Sequence, residues 1–380
     1  MNIRLFAPYL GEDEINEIRD AFNRSWVGLG EKVNKFEIDF SDFIGCRRSI
    51  AVNSATAGLH LAVSVFSFKE GKKVLVPDIT FASTAFAPIY NRLNPVFVDV
   101  NNDDITMSIE DLENKYDKDC VAIIPVHYGG QPAKMELIIE FAKQKNLKVI
   151  EDCAHTVGTE YKGVKLGLWG DIGVFSFEEK KAMTTGDGGM ICSNDEELIK
   201  VLIPRRWLGI DKDTWKSSFD YINPNSYNTR HWYYDINDLG FKYNMNDLAA
   251  AVGIVQLKRL SWMNSVRSKR IKEYLQVFSR LKHIKPLLPF NPDENSYWLF
   301  GVRCEKRDEL ILHLKTNGIA TGVHYYPLNM LKYFREWYSP CPIAEKAWES
   351  FVTLPLHVHL TSEEIEYISE KLVSFEKEYF

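Results

Sequence analysis

The sequence predicts an α/β fold in which helices cover a mainly parallel sheet, followed by a smaller α+β lobe. Seven short apolar runs in the first half lack the alternation of a strand exposed on one face, which is typical of strands buried on both faces. Helical patterns separate several of these runs. The chain has 380 residues, more than one hydrophobic core usually serves. We therefore expect two lobes, at 1–250 and 251–380.

The predicted strands of the first lobe follow one another at short intervals. They cover residues 49–52, 73–78, 95–100, 121–128, 147–152, 172–177 and 188–193. Helical segments at 56–67 and 134–146 fall between them. This order of elements is typical of a sheet built from strand–helix–strand units.

The second part of the chain begins with an irregular segment. Residues 207–240 are rich in Asn, Asp, Ser and aromatic residues and lack periodicity, which predicts a long and functional loop. A long helix is predicted over 245–281, then a strand at 296–304, a helix at 307–318 and a closing helix after Thr361. These elements suit a small α+β lobe.

Composition excludes several classes of protein. The net charge of −6 and the isoelectric point near 5.9 argue against nucleic-acid binding, which favours a basic surface. No apolar run is long enough to span a bilayer, and the N-terminus lacks the apolar core of a signal peptide, so we expect a cytoplasmic protein without membrane contact. The six cysteines have no CxxC spacing, which predicts reduced, buried thiols rather than disulfides or a metal site.

Candidate functional residues lie where the predicted strands end. This position matters because open α/β sheets bind ligands beyond the carboxyl ends of their strands. Ser54 and Thr56 follow the strand at 49–52 and open a helix. They suit a phosphate site to which the amides of Thr56 and Ala57 point. An ordinary N-cap explains the same residues, and the sequence leaves both interpretations open.

A carboxylate ends the strand at 147–152. Asp152 is followed by His155 three residues later. Asp152 is either a structural cap or the acid that keeps a heterocyclic nitrogen protonated.

Two lysines follow the strand at 172–177. Ser176, Lys180 and Lys181 precede the Gly-rich turn "TTGDGG". A lone lysine is usually a solvated charge, but a lysine with a lowered pKa in a shaped pocket attacks carbonyls through a Schiff base. A phosphate cradle, a carboxylate for a ring nitrogen and a lysine together match pyridoxal 5′-phosphate (PLP).

The motifs themselves resemble a known family. The segments "NSATAGLHLA", "PVHYGGQPAKM", "VIEDCAHTVGTEYKG", "GDIGVFSFEEKKAMTTGDGGM" and "LGFKYNMNDLAAAVGIVQL" occur in this order. They resemble the DegT-type sugar aminotransferases, PLP enzymes of fold type I, the aspartate aminotransferase-like fold, that act on nucleotide-linked keto sugars. The resemblance covers nearly the whole chain and is strongest to the UDP-4-amino-4-deoxy-L-arabinose aminotransferase branch.

The resemblance implies roles for individual residues around the cofactor. The family spacing F-S-F-x-x-x-K makes Lys181 the catalytic lysine, with Lys180 a substrate-side neighbour that lowers the pKa of its amine. Asp152 pairs with the pyridinium nitrogen, and His155 lies near the ring oxygen. Phe81 stacks on the ring, although a core phenylalanine is the alternative without the family context. The implied phosphate ligands are Ser54, Thr56, Ala57 and Ser176.

Other implied roles concern the substrate and a second subunit. Lys242 and Asn244, in "GFKYN", reach the neighbouring subunit's phosphate in relatives, which implies a homodimer with shared active sites. The alternative is that both residues cap the long helix that follows. The implied substrate contacts are Trp26, Gly28, His324 and Tyr325.

The resulting functional hypothesis is an aminotransferase that moves the amino group of glutamate to a keto sugar, at C4 and on UDP, for a surface polysaccharide. Cations in or beside 207–240 suit a nucleotide diphosphate; they are Arg205, Arg206, Lys212, Lys216 and Arg230. Aromatic residues suit the base or sugar; they are Trp207, Trp232 and Tyr233. A PLP- or pyridoxamine-dependent sugar dehydratase is an alternative, but its resembling branch has histidine in place of Lys181. A non-catalytic PLP-binding regulator is another.

Overall fold

The computed structural model describes residues 1–210, 234–236 and 238–380. Its helices are α1 (Glu12–Asn23), α2 (Glu31–Ile44), α3 (Ala55–Ser64), α4 (Ser83–Tyr90), α5 (Ile109–Lys115), α6 (Met135–Lys145), α7 (Glu196–Arg205), α8 (Asp247–Phe278), α9 (Arg307–Thr316), α10 (Pro342–Ala347) and α11 (Ser362–Tyr379). Lys212, Lys216, Arg230, Trp232 and Tyr233, singled out in the predicted loop, lie outside the described residues.

The predicted strands form one seven-stranded sheet. The strands of the large sheet are β1 (Arg48–Val52), β2 (Lys73–Pro77), β3 (Asn94–Val98), β4 (Cys120–Ile123), β5 (Lys148–Asp152), β8 (Ile172–Ser176) and β9 (Gly189–Ser193). Their spatial order is β1-β9-β8-β5-β4-β2-β3. Only β9 runs antiparallel to its neighbours, so the α/β fold with a mainly parallel sheet is confirmed.

The sheet is buried on both faces because successive side chains along a strand point to opposite sides. Ile50 and Val52 of β1 belong to one hydrophobic core, while Ala51 between them belongs to the other. Val174 and Phe175 of β8 divide in the same way. This double burial explains the continuous apolar runs of the sequence.

Helix α3 packs directly on the sheet. A Cβ on its Gly58 would lie 2.8 Å from Cγ1 of Val174 in β8. The absence of a side chain at Gly58 therefore lets the helix approach the strand closely. The approach brings the N-terminus of α3 to the edge of the sheet where the parallel strands end.

The smaller lobe contains a three-stranded antiparallel sheet of β10 (Ile284–Pro286), β11 (Phe300–Cys304) and β12 (Phe351–Leu354). The short strands β6 (Glu160–Tyr161) and β7 (Val164–Lys165) form a separate hairpin in the first lobe. Helix α8 has 32 residues, and the predicted boundary at 250/251 falls near its start. The lobe limits of 1–250 and 251–380 stay a prediction.

Glu151, beside the predicted carboxylate, secures the carboxyl end of β5. Its carboxylate accepts amide hydrogens from Gly167, Trp169 and Gly170 at 2.7–2.9 Å, and Oε2 lies 3.1 Å from Nε2 of His127. The His127 amide in turn donates to the Asp152 carbonyl at 3.3 Å. This buried network fixes the position from which Asp152 projects.

All six cysteines are buried and unpaired, as predicted. They are Cys46, Cys120, Cys153, Cys192, Cys304 and Cys341. In the part of the chain that the structure describes, none of the helices is long and apolar enough to cross a membrane.

Candidate active site

A cavity of about 410 Å³ opens at the carboxyl edge of the large sheet. The ends of β1, β5 and β8 meet there because these strands are parallel. The predicted residues that line it are Ser54, Thr56, Phe81, Asp152, His155, Ser176, Lys180, Lys181, His324 and Tyr325. Residues that lie up to 271 positions apart in the sequence thus share one cavity.

The two lysines have different environments. Lys180 is exposed, and its amine lies 3.9 Å from a carboxylate oxygen of Glu178. Lys181 lies on the cavity wall, with its amine 3.8 Å from the ring centroid of Trp298. Burial lowers the pKa of Lys181 to about 8, Glu178 and Asp152 oppose the shift, and Lys180 adds to it. Lys181 thus has the lowered pKa that a Schiff-base lysine requires, and Lys180 acts on it in the predicted direction.

Asp152 is 4% exposed at the end of β5. Its Oδ2 accepts from the Thr84 hydroxyl at 2.8 Å, and its Oδ1 accepts from the Ala154 amide at 3.1 Å. Burial raises the pKa of Asp152, whereas these hydrogen bonds and the charge of Lys181 lower it. A cationic ring beside the carboxylate would favour its charged form further.

The residues at the N-terminus of α3 were predicted either to cap the helix or to bind a phosphate. Ser54 is the N-cap, since its Oγ accepts the Ala57 amide hydrogen at 3.1 Å. That amide is already bonded and Ala57 does not line the cavity, so its predicted role toward phosphate has no support in this geometry. Ser54, Thr56 and Ser176 do line the cavity.

Glycine in β9 makes the approach of α3 possible. A Cβ on Gly189 would lie 2.7 Å from the Ala55 nitrogen and 2.8 Å from the Ser54 carbonyl carbon. Both contacts are to backbone, which cannot swing away. The N-terminus of α3, with its positive end of the helix dipole, therefore sits where only glycine fits opposite it.

His155 is buried and stacked between rings. Its Nδ1 accepts the Gly129 amide hydrogen at 3.2 Å, and its Nε2 lies 3.2 Å from the Tyr325 hydroxyl. Burial and the charge of Lys181 hold the pKa of His155 well below 6.5. The ring is therefore neutral and carries its proton on Nε2, from which it donates to Tyr325.

His324 and Tyr325 enter the cavity from the smaller lobe. Nδ1 of His324 lies 2.8 Å from the Thr353 hydroxyl. Burial lowers the pKa of His324 to about 4 and raises the pKa of Tyr325 well above 10. Both side chains are thus neutral hydrogen-bonding groups at physiological pH.

Phe81 is 58% exposed, although it is a large apolar side chain. The alternative of a core phenylalanine is therefore wrong. Its ring lines the cavity and lies 6.1 Å from the Tyr325 ring. The open face suits an aromatic ligand.

The remaining predicted residues line a second cavity, of about 850 Å³. These residues are Trp26, Gly28, Lys242 and Asn244. Segment 242–244 lies against the end of β1, where the Asn53 amide donates to the Tyr243 carbonyl at 2.7 Å. Within the described residues, the buried Oδ1 of Asn244 has no hydrogen-bond partner.

The cap of α8 is Asn246, so the alternative role of Lys242 and Asn244 as caps is wrong.

The arginines expected to meet a diphosphate are bound within the chain. Arg206 is 1% exposed and pairs with Glu37, and it donates to the Ala51 carbonyl at 2.9 Å. Arg205 pairs with Asp238 at 2.5 Å. The expectation for these two arginines is corrected, because their charges already have partners in the protein.

Two residues of the cavity region carry no signal that the sequence analysis used. Thr84 donates to Asp152, and its position three residues after Phe81 in "DITFAST" could have pointed to it. Trp298 lines the cavity and is separated from Lys180 by 118 positions. Only the packing of the two lobes brings it to the lysine.

This set of side chains fits PLP. The cavity joins a helix N-terminus with hydroxyl groups, a buried carboxylate and an amine whose pKa is lowered to about 8. These groups match the phosphate, the ring nitrogen and the aldehyde of the cofactor.

Comparison with known proteins agrees with this geometry. The family model of the DegT/DnrJ/EryC1/StrS aminotransferase family matches residues 8–373. The chain is 36% identical over 375 residues to the uncharacterized protein MJ1066 of Methanocaldococcus jannaschii, covering 95% of this chain and 94% of the relative. It is 32% identical over 377 residues to the spore coat polysaccharide biosynthesis protein SpsC of Bacillus subtilis, covering 96% of this chain and 94% of SpsC.

Among solved structures, the putative sugar aminotransferase Spr1654 of Streptococcus pneumoniae in its pyridoxamine phosphate (PMP) form is similar over the full length of both chains. Its TM-score is 0.91 at 28% identity. The same protein is known in a PLP form, with a TM-score of 0.90. The likeness therefore covers both lobes.

Proposed function

The chain belongs to the DegT/DnrJ/EryC1/StrS family of PLP-dependent sugar aminotransferases, and on this premise we propose that it transfers the amino group of glutamate to a nucleotide-linked 4-keto sugar. The single observation that carries the proposal is the meeting of Lys181 and Asp152 in one cavity with the N-terminus of α3. PLP-dependent transamination needs an amine for the Schiff base, an acid for the ring nitrogen and a phosphate site in one place.

When bound, PLP supplies the electron sink through which an amino group passes from donor to acceptor. The Lys181 amine would hold the cofactor through a covalent link, and when free it would carry a proton to and from the reacting carbon of the substrate. A pKa of about 8 suits that role, because the amine then exchanges protons readily near neutral pH.

Asp152 would keep the ring nitrogen protonated, and Thr84 and Ala154 orient its carboxylate. Thr56, Ser54 and Ser176 would hold the phosphate at the N-terminus of α3. Phe81 would stack on the ring, and His155, held by Gly129 and Tyr325, would contact the ring near its oxygen.

Covalent labelling tests the assignment of the lysine. Borohydride reduction of the purified PLP-bound protein should fix the cofactor on Lys181, and peptide mapping should find it there. Lys180→Ala should still be labelled, whereas Lys181→Ala should not. Label on Lys180, or on neither lysine, would overturn the assignment.

We also propose a homodimer in which the second cavity completes the neighbouring subunit's site. Support comes from the division of the predicted residues between two cavities and from the unpartnered Oδ1 of Asn244. Lys242, whose amine lies 5.3 Å from the Trp207 ring centroid, supplies a cation there. A partner's phosphate would give both groups a ligand.

Complementation tests the shared site. Lys181→Ala and Asn244→Ala should each abolish or strongly reduce activity alone, yet regain activity when co-expressed, because a mixed dimer contains one intact site. Two variants of the same cavity, Lys181→Ala and Asp152→Ala, form the control pair and should not complement. Absence of complementation in mixed dimers that are shown to form would refute shared sites.

The choice of sugar rests on sequence similarity to the 4-aminotransferase branch. The relative SpsC, a spore coat polysaccharide biosynthesis protein, supports a surface polysaccharide as the destination. Incubation with glutamate and a panel of UDP-, GDP- and dTDP-linked 4-keto and 3-keto sugars tests it. We expect aminated product and 2-oxoglutarate with a UDP-linked 4-keto sugar. Turnover of 3-keto sugars alone would refute C4 amination and leave the PLP assignment standing.

A further inference from the structure

Trp298 is placed against the catalytic lysine by contacts from both lobes. The residue is 4% exposed and immediately precedes Leu299 and β11. Its indole N–H donates to the Lys180 carbonyl at 2.7 Å, and its amide donates to the Gly129 carbonyl at 3.0 Å. One bond attaches Trp298 to the segment that carries Lys181. The other attaches it to Gly129, whose amide donates to His155.

The indole ring is held by stacking as well. Its centroid lies 4.4 Å from the His155 ring, with 21° between the planes, and 5.2 Å from the Phe6 ring, with 5° between the planes. The ring orientation is therefore fixed by neighbours other than the lysine. A rigid ring is a defined platform for whatever lies over it.

The Lys181 amine lies over this platform. The distance of 3.8 Å from the nitrogen to the ring centroid is well inside the range of cation–π attraction, and tryptophan is the strongest aromatic partner. The nearby rings of His155 and His324 are neutral, so they do not compete for the ammonium as anions would. Asp152 and Glu178 are the acidic groups whose charges act on it.

We propose that Trp298 is a positioning residue that holds the released Lys181 amine over its indole face whenever the amine is not bonded to the cofactor. This inference rests on the proposed function, in which Lys181 leaves the cofactor and acts as a proton carrier. An amine kept on a fixed platform stays within reach of the reacting carbon, whereas a free lysine side chain samples many rotamers. Trp298 contacts the lysine and acts through it.

Nuclear magnetic resonance of the lysine tests the contact directly. Reductive methylation of the full-length, PMP-loaded protein with ¹³C-formaldehyde places methyl probes on Lys181, assigned by their loss in Lys181→Arg. Because the probes lie over an indole face, their proton signals should be shifted upfield of other lysine methyl signals. The shift should shrink in Trp298→Phe and be lost in Trp298→Leu, while Trp262→Leu, on an exposed tryptophan outside the cavity, should leave it unchanged.

Kinetics provide a second readout. We expect kcat of Trp298→Leu to fall roughly 30-fold, the size of a desolvated cation–π contact, with little change in KM for the sugar. A Lys181 signal without an upfield shift, or one equally shifted in all Trp298 variants, would overturn the inference. If Trp298→Leu does not fold, the comparison with Trp298→Phe decides, and an unchanged shift there also overturns it. Borohydride labelling keeps the two hypotheses apart, because label away from Lys181 refutes the proposed function whatever the shift.

Discussion

The reactivity of Lys181 should follow its lowered pKa. Burial brings that pKa to about 8, so at pH 8 roughly half of the amine is neutral, against about 0.4% for an ordinary lysine of pKa about 10.4. A neutral acylating reagent reacts only with the neutral amine. At pH 8, Lys181 of the cofactor-free protein should therefore be acylated on the order of 100-fold faster than the same amine would be with an ordinary lysine pKa.

The assay is competitive acylation across a pH series, with the rate of modification of each lysine read by mass spectrometry. Lys200 is the internal control, because its hydrogen bond to Glu197 raises its pKa and it should react only at higher pH. The Lys181 rate should reach half of its maximum near pH 8. Fragmentation of the peptide separates Lys181 from Lys180.

Two charge variants test whether neighbouring charges shift the pKa of Lys181. Glu178→Gln removes a charge that supports the ammonium, so the pKa of Lys181 should fall further. Lys180→Met removes a repelling charge, so the pKa should rise. A half-maximum near the ordinary lysine value, or shifts of the two variants in the same direction, would refute the reasoning.

Three further predictions follow from the same contacts. Thr84→Val should lower turnover about tenfold, because it removes a hydrogen bond to the charged Asp152, whereas Thr84→Ser should retain activity; equal loss in both would contradict the role of the hydroxyl. Gly189→Ala should weaken PLP binding and cost roughly 1–3 kcal/mol in the free energy of unfolding in urea melts, because its methyl group would meet the backbone of Ala55. Gly11→Ala, whose methyl group would meet nothing within 4 Å, should leave PLP binding unchanged in the same titration. Lys181→Met should stabilise the cofactor-free protein at pH 7 by up to about 3 kcal/mol. The folded-state pKa of Lys181 lies below its unfolded value, so the folded state binds fewer protons between pH 8 and 10.5 and the gain should shrink across that window; a gain that does not change with pH would show that packing alone causes it.

The architecture and the family could both be predicted from the amino-acid sequence. Continuous apolar runs predicted every strand of the large sheet, because side chains on alternate sides of each strand enter two separate cores. The ordered motifs identified the aminotransferase family and its cofactor, since a strand end followed by a helix or a glycine-rich turn is a local pattern. Such local patterns can be recognised without knowledge of the tertiary structure.

The contacts between these elements could be read only from the folded chain. The tertiary structure separated Lys181, half-buried over Trp298, from the adjacent and exposed Lys180, because burial depends on residues of the other lobe. It showed that the Ala57 amide donates to the Ser54 hydroxyl that caps its helix, a local contact that the motif had left open. It also showed that Arg206 is neutralised by Glu37, a partner 169 positions away in the chain. Long-range packing sets such charges and contacts, and no spacing along the chain encodes them.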